Sequence, residues 1–144
     1  MSKIHTVRGV CTVPNVEKIL LFGDRQENFD RGYKIVDFQV ATTNPTGGEE
    51  VTAFISTIEE AHSALWNWAK NTQVAWATWN APTSTRSGQY SNVDREVIVV
   101  EDVYVDGAGT TGQTFNWELT LEEVKISDSQ AALSMVNTRA QGSD

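Results

Sequence analysis

With 144 residues, 11 Lys and Arg against 19 Asp and Glu, and a formal net charge of −8, the chain argues against a general phosphate-backbone binder, since its few cations are scattered singly. It is long enough to bury about 68–70% of the surface its unfolded form would expose, so no disulfide or metal staple is required, and its single cysteine, Cys11, has no partner for an internal disulfide. No apolar run approaches the roughly 20 residues of a membrane-spanning helix, and the start Met1-Ser-Lys-Ile-His has no apolar signal segment. One soluble, unprocessed domain over residues 1–144 is the expectation.

Residues 4–13 read as a first strand in which Gly9 marks a bulge or a close approach. Pro14 ends that ladder, and residues 16–22 are a short apolar run that is either a strand or one or two helical turns. A polar loop over 23–32 surrounds the isolated Phe29. Residues 33–42 then alternate, with Val36, Phe38 and Val40 set against Asp37 and Gln39, and residues 51–56 form a third strand expected to pair antiparallel with the second.

Thr57-Ile-Glu-Glu60 has the form of a capping box, which predicts a helix with Ala61, Leu65, Trp68 and Ala69 on one face and a stop near Asn71. Residues 74–79 return to strand spacing, with Val74 and Trp76 on one side and Ala75, Ala77 and Trp79 on the other. Residues 80–92, with Pro82, Gly88 and several Ser and Thr, read as a long connection.

The most strongly patterned stretch is 96–126, two apolar-rich runs around the loop Gly107-Ala-Gly-Thr-Thr-Gly112, which reads as a β-hairpin. Its second run puts Phe115, Trp117, Leu119 and Leu121 on one face and Asn116, Glu118, Thr120 and Glu122 on the other. In the first run a bulge at Glu101-Asp102 keeps both carboxylates outward and sends Ile98, Val100, Val103 and Val105 inward. That phase leaves Val97 and Val99 on the polar side, needing a cover. A terminal helix is predicted after Ser127, carrying Ala132, Met135, Val136, Arg139 and Ala140.

No residue pattern specifies a reaction. His5 and Cys11 share a parity but lie roughly 20 Å apart along a straight strand, out of reach as base and nucleophile. His5 and His62 have no ligand at metal-binding spacing, and the carboxylates of Glu101, Asp102, Asp106 and Glu118 could hold calcium only by converging at one end of the hairpin. The expectation is therefore a non-enzyme without cofactor or metal. The cluster Trp66, Trp68, Trp76 and Trp79 reads first as core or subunit contact and second as a stacking surface.

Val74-Ala-Trp-Ala-Thr-Trp79, Tyr90-Ser-Asn-Val-Asp94 and Asn116-Trp-Glu-Leu-Thr-Leu-Glu122 together resemble segments of small, uncharacterised β-rich virion structural proteins of marine bacteriophages. The likeness covers the last half of the chain and carries over no functional residues. It implies a capsid, decoration or tail-associated subunit.

These readings give a mainly β chain, an antiparallel β-sandwich or barrel with one or two short helices. The expected function is a structural virion subunit working through repeated protein–protein contacts, as a homo-oligomer or with other virion proteins, and without direct nucleic-acid or membrane partners. Its expected interface is Val97, Val99, Met135 and Val136. The alternative is a carbohydrate-binding sandwich using Trp66, Trp79 and Tyr90. The expected location is the virion if the chain is phage-encoded, and otherwise the cytoplasm.

Overall fold

The computed structural model describes residues 3–21, 31–44, 49–63, 65–80 and 88–125. Eight strands run through them: β1 (Ile4–Thr12), β2 (Val16–Ile19), β3 (Arg31–Thr42), β4 (Glu50–Ser56), β5 (Gln73–Asn80), β6 (Gly88–Val93), β7 (Val103–Ala108) and β8 (Thr114–Lys125). All pairings are antiparallel and build two sheets, β1-β8-β3 and β2-β7-β4-β5-β6, packed against each other as a β-sandwich with open edges.

The core follows from period-2 alternation. Phe115, Trp117, Leu119 and Leu121 of β8 are all buried, while Asn116, Glu118, Thr120 and Glu122 point outward. They meet Ile35, Phe38 and Val40 of β3 and the smaller Val51, Ala53, Ile55, Ala75, Ala77, Val103 and Val105 of the facing sheet. Burying each large apolar side chain of this set contributes about 1.5–3 kcal/mol, so the β8 stripe is the main organiser of the sandwich. Two close approaches depend on missing side chains. A Cβ at Gly107 would collide with the Phe115 ring, and one at Gly9 would lie 2.5 Å from the Trp117 indole.

Several expectations are corrected. The stretch 96–126 is not a hairpin: β7 pairs with β2 and β4, β8 pairs with β1 and β3, and the connection between them crosses from one sheet to the other. Phe115 packs on Gly107 across the core, where a hairpin would have placed the two strands edge to edge. Gln113 stabilises the crossing, accepting from the Thr110 N–H and donating to the Glu50 carbonyl, both at 2.9 Å. Likewise β3 and β4 do not pair. They lie in different sheets.

Residues 61–63 and 65–70 form no helix, and none occurs among the described residues. The Thr57 N–H instead donates to the Thr72 carbonyl at 2.8 Å, closing the base of a long loop, and Glu60 pairs with Lys70. Tertiary hydrogen bonds thereby replace the capping box. Residues 16–22 resolve toward a strand, over Val16–Ile19. The predicted terminal helix, with Met135 and Val136, lies outside the described residues.

The phase of 97–100 is also reversed. Val99 is 3% exposed and exchanges two hydrogen bonds with Tyr33, of 2.9 and 2.7 Å, while Val97 packs partly buried on the core. This segment closes over the edge of β3, so the two valines are covered by their own chain. Asp102, freed from a hairpin register, accepts from the Leu21 N–H at 2.8 Å and lies 3.7 Å from Lys18 Nζ. No helix among the described residues is long and apolar enough to cross a membrane.

Candidate functional site

The two outer faces of the sandwich differ in chemistry. On the three-stranded sheet the outward row is mixed, with Arg8 bound to Glu118 at 2.7 Å and Lys34 opposite Glu122, but with Ile4 and Val10 of β1 59% and 54% exposed beside them. On the five-stranded sheet the register aligns Asp106, Phe54, Trp76 and Asn92 in one row across β7, β4, β5 and β6, and Thr52, Thr78 and Tyr90 in the next. Directly opposed residues of antiparallel strands share a face, so this face carries the aromatics Phe54, Trp76 and Tyr90 among the polar Thr52, Thr78, Asn92 and Asp106.

The loop from Thr57 to Thr72 lies against this aromatic face. At one side, Asp106 Oδ1 lies 2.6 Å from His62 Nδ1, and Asp106 Oδ2 accepts the Ser63 N–H at 2.9 Å. In the middle, Gln73 Oε1 accepts from the Asn67 N–H at 2.9 Å and from Trp76 Nε1 at 3.0 Å. At the other side the indoles of Trp68 and Trp76 approach to 5.8 Å at 57°, and Trp66 lies 6.0 Å from Tyr90 at 30°. These are tilted aromatic pairs within the favourable centroid range. The loop thereby displays Leu65, 73% exposed, and Trp68, 60% exposed, beside Tyr90 at 42%.

This arrangement divides the aromatic trio proposed from sequence. Trp66 and Tyr90 meet on the outer face, whereas Trp79 stands opposite Gln89 and Val51 on the inward face, packed against the core. The three cannot form one stacking surface. The alternation in 74–79 already opposed Trp79 to Trp76, which was the available signal. Trp68 and Trp76 take its place, beside an open recess of about 420 Å³ bordered by Asn92, Asp94 and Arg95. Asn92 was recognisable only by reading 88–93 as a strand, because it then shares parity with Tyr90.

The buried Asp106 carboxylate and Cys11 thiol have structural partners, whereas Trp66 Nε1, Thr72 Oγ1 and Trp117 Nε1 are buried with no hydrogen-bond partner among the described residues. Burial pushes the Asp106 carboxyl above its usual value, against the lowering effects of the Ser63 N–H and His62. His62 and Asp106 form a histidine–carboxylate pair, but among the described residues no hydroxyl or thiol is hydrogen-bonded to that histidine. Cys11 is 2% exposed, its thiol donates toward the Asn15 carbonyl at 3.3 Å, and burial followed by the Glu17 charge pushes its pKa up to about 11. A thiol held protonated in this way is a poor nucleophile.

His5 binds Glu123 at 3.1 Å, far from Cys11 in the fold, and that hydrogen bond, aided by Arg31, holds the Glu123 carboxyl below its usual value. Three of the four carboxylates considered for calcium separate: Asp102 goes to Leu21, Asp106 to His62 and Glu118 to Arg8 on the other sheet. Among the described residues no three His, Cys, Asp or Glu side chains gather as a metal site. No protein-family model matches the chain, and no curated protein matches it.

Proposed function

We propose that the protein is a non-enzymatic structural subunit of a virion, a capsid, decoration or tail-associated component that acts by repeated protein–protein contact. The observation that carries this reading is the display of Leu65 and Tyr90, with the Trp66 ring 6.0 Å from that of Tyr90, on the outer side of the five-stranded sheet. A leucine left 73% exposed on a loop held by side-chain hydrogen bonds gains nothing from its own fold and suits a neighbouring copy. The contact surface is thus the 57–72 loop with β6, in place of the buried Val99.

The test is light scattering on the wild type and on Leu65→Ser and Tyr90→Ser from micromolar to millimolar concentration. A defined oligomer for the wild type and smaller, folded species for the variants are expected. A strictly monomeric wild type that also fails to join particles formed with its co-encoded proteins overturns the reading.

A further inference from the structure

We propose that the recess beside Trp68 and Trp76 is a carbohydrate subsite that takes a neutral pyranose. Its volume of about 420 Å³ falls in the range of small-molecule sites, and its composition, two indoles with Val93 and the polar Asn92, Asp94 and Arg95, differs from the surface around Leu65. Trp76 is fixed as a floor, 5% exposed with its Nε1 donating to Gln73 Oε1 at 3.0 Å. Trp68, 60% exposed and inclined 57° to Trp76, leaves an indole face to solvent. Such a face pairs with the apolar C–H face of a sugar ring, giving contact area at low conformational cost.

The polar rim has the complementary chemistry. Among the described residues neither the Asn92 amide nor the Arg95 guanidinium has a hydrogen-bonding or ion-pair partner. The Asp94 backbone is tied to the Val74 carbonyl at 2.9 Å, and its Oδ1 accepts from the Glu96 N–H at 3.1 Å, so the carboxylate is held in place while Oδ2 remains available. Adjacent sugar hydroxyls, each both donor and acceptor, match a fixed carboxylate beside a free guanidinium. The charge balance selects against acidic glycans. Asp94 and Glu96 flank Arg95 in a chain of net charge −8, so a polyuronate or a nucleic acid meets repulsion.

The recess borders the same loop and β6 as the proposed assembly contact, but the proposal rests on Trp68, Asn92, Asp94 and Arg95, and the assembly reading on Leu65 and Tyr90. It is tested by calorimetry and indole fluorescence on the full chain with cellohexaose, maltohexaose and xylohexaose, and with a galacturonate hexamer as the acidic comparator. Saturable binding of at least one neutral hexamer is expected, with weaker binding of the galacturonate. Trp68→Ala and Arg95→Gln should each weaken it roughly tenfold or more, while Leu65→Ser leaves it unchanged. Arg95→Gln alters an exposed side chain with no partner among the described residues and keeps the test separate from folding. The proposal is overturned by the absence of saturable binding across the neutral panel, or by equal or tighter binding of the galacturonate. It is equally overturned if Trp68→Ala dissociates an oligomer while the wild type binds no sugar, since the recess would then belong to the subunit contact.

Discussion

Replacing Gly9 by Ala adds one methyl group to the packed interface between β1 and β8. Gly9 stands directly opposite Trp117, and the new Cβ would lie 2.5 Å from Cζ2, 2.7 Å from Cε2 and 2.9 Å from Nε1 of the indole. Trp117 is 5% exposed, so its rigid ring cannot swing into solvent to make room. Overpacking of this kind costs about 1–3 kcal/mol. The loss of glycine's freedom in the unfolded chain returns about 0.4–1 kcal/mol, leaving a net destabilisation of up to about 2.6 kcal/mol. The control is Gly88→Ala, because a Cβ at Gly88 meets nothing within 4 Å and should be neutral or stabilising by up to about 1 kcal/mol. Urea unfolding of both variants reads the difference. A second comparison isolates the cause: Gly9→Ala combined with Trp117→Phe should be less destabilised than the sum of the two, by at least about 0.5 kcal/mol, since the smaller ring vacates the contested space. Equal behaviour of the two glycine variants, or strict additivity in the pair, would refute the close-approach argument.

Two further outcomes follow from the buried polar groups. Because burial raises Asp106 above its usual 3.8, the folded chain keeps that proton over a range in which the unfolded chain has released it. The stability of the wild type relative to Asp106→Asn should therefore fall as pH rises from about 3.8 through the raised value and stay level above it; urea midpoints showing the opposite slope would mean that the His62 and Ser63 hydrogen bonds outweigh burial. Cys11, with its thiol pushed up to about 11 and its side chain enclosed, should resist a disulfide reagent at pH 8 in the folded protein and react at once in denaturant, and rapid labelling of the native chain would contradict its placement.

The residue pattern alone determined most of the strands and, for the best of them, which face goes inward, but it read β6 as part of a connection over 80–92 and left β2 open between strand and helix. Phe115, Trp117, Leu119 and Leu121 read as one buried stripe because side chains alternate every second residue whatever partner a strand has, and all four are buried. The same reasoning placed Val103 and Val105 correctly, and Gly9 as a point of close approach. The partner was another matter. The two runs around 107–112 look like a hairpin because adjacency in sequence usually means adjacency in a sheet, yet Gly107 opens a space for the Phe115 ring between the layers and the chain crosses from one sheet to the other.

Tertiary contacts also decided the 57–72 loop. Local spacing predicts an amphipathic helix there, but Asp106, 44 residues from His62 in sequence, and Gln73 satisfy backbone and side-chain groups that a helix would have used. The candidate surface was only half legible for the same reason. Trp66 and Tyr90 were visible as aromatics, but their meeting, the inward turn of Trp79 and the grouping of Trp68 with Asn92, Asp94 and Arg95 arise from strand registers and one loop path. Alternation is a property of each strand by itself; pairing and loop placement are set by what the assembled sheets leave unfilled and unpaired.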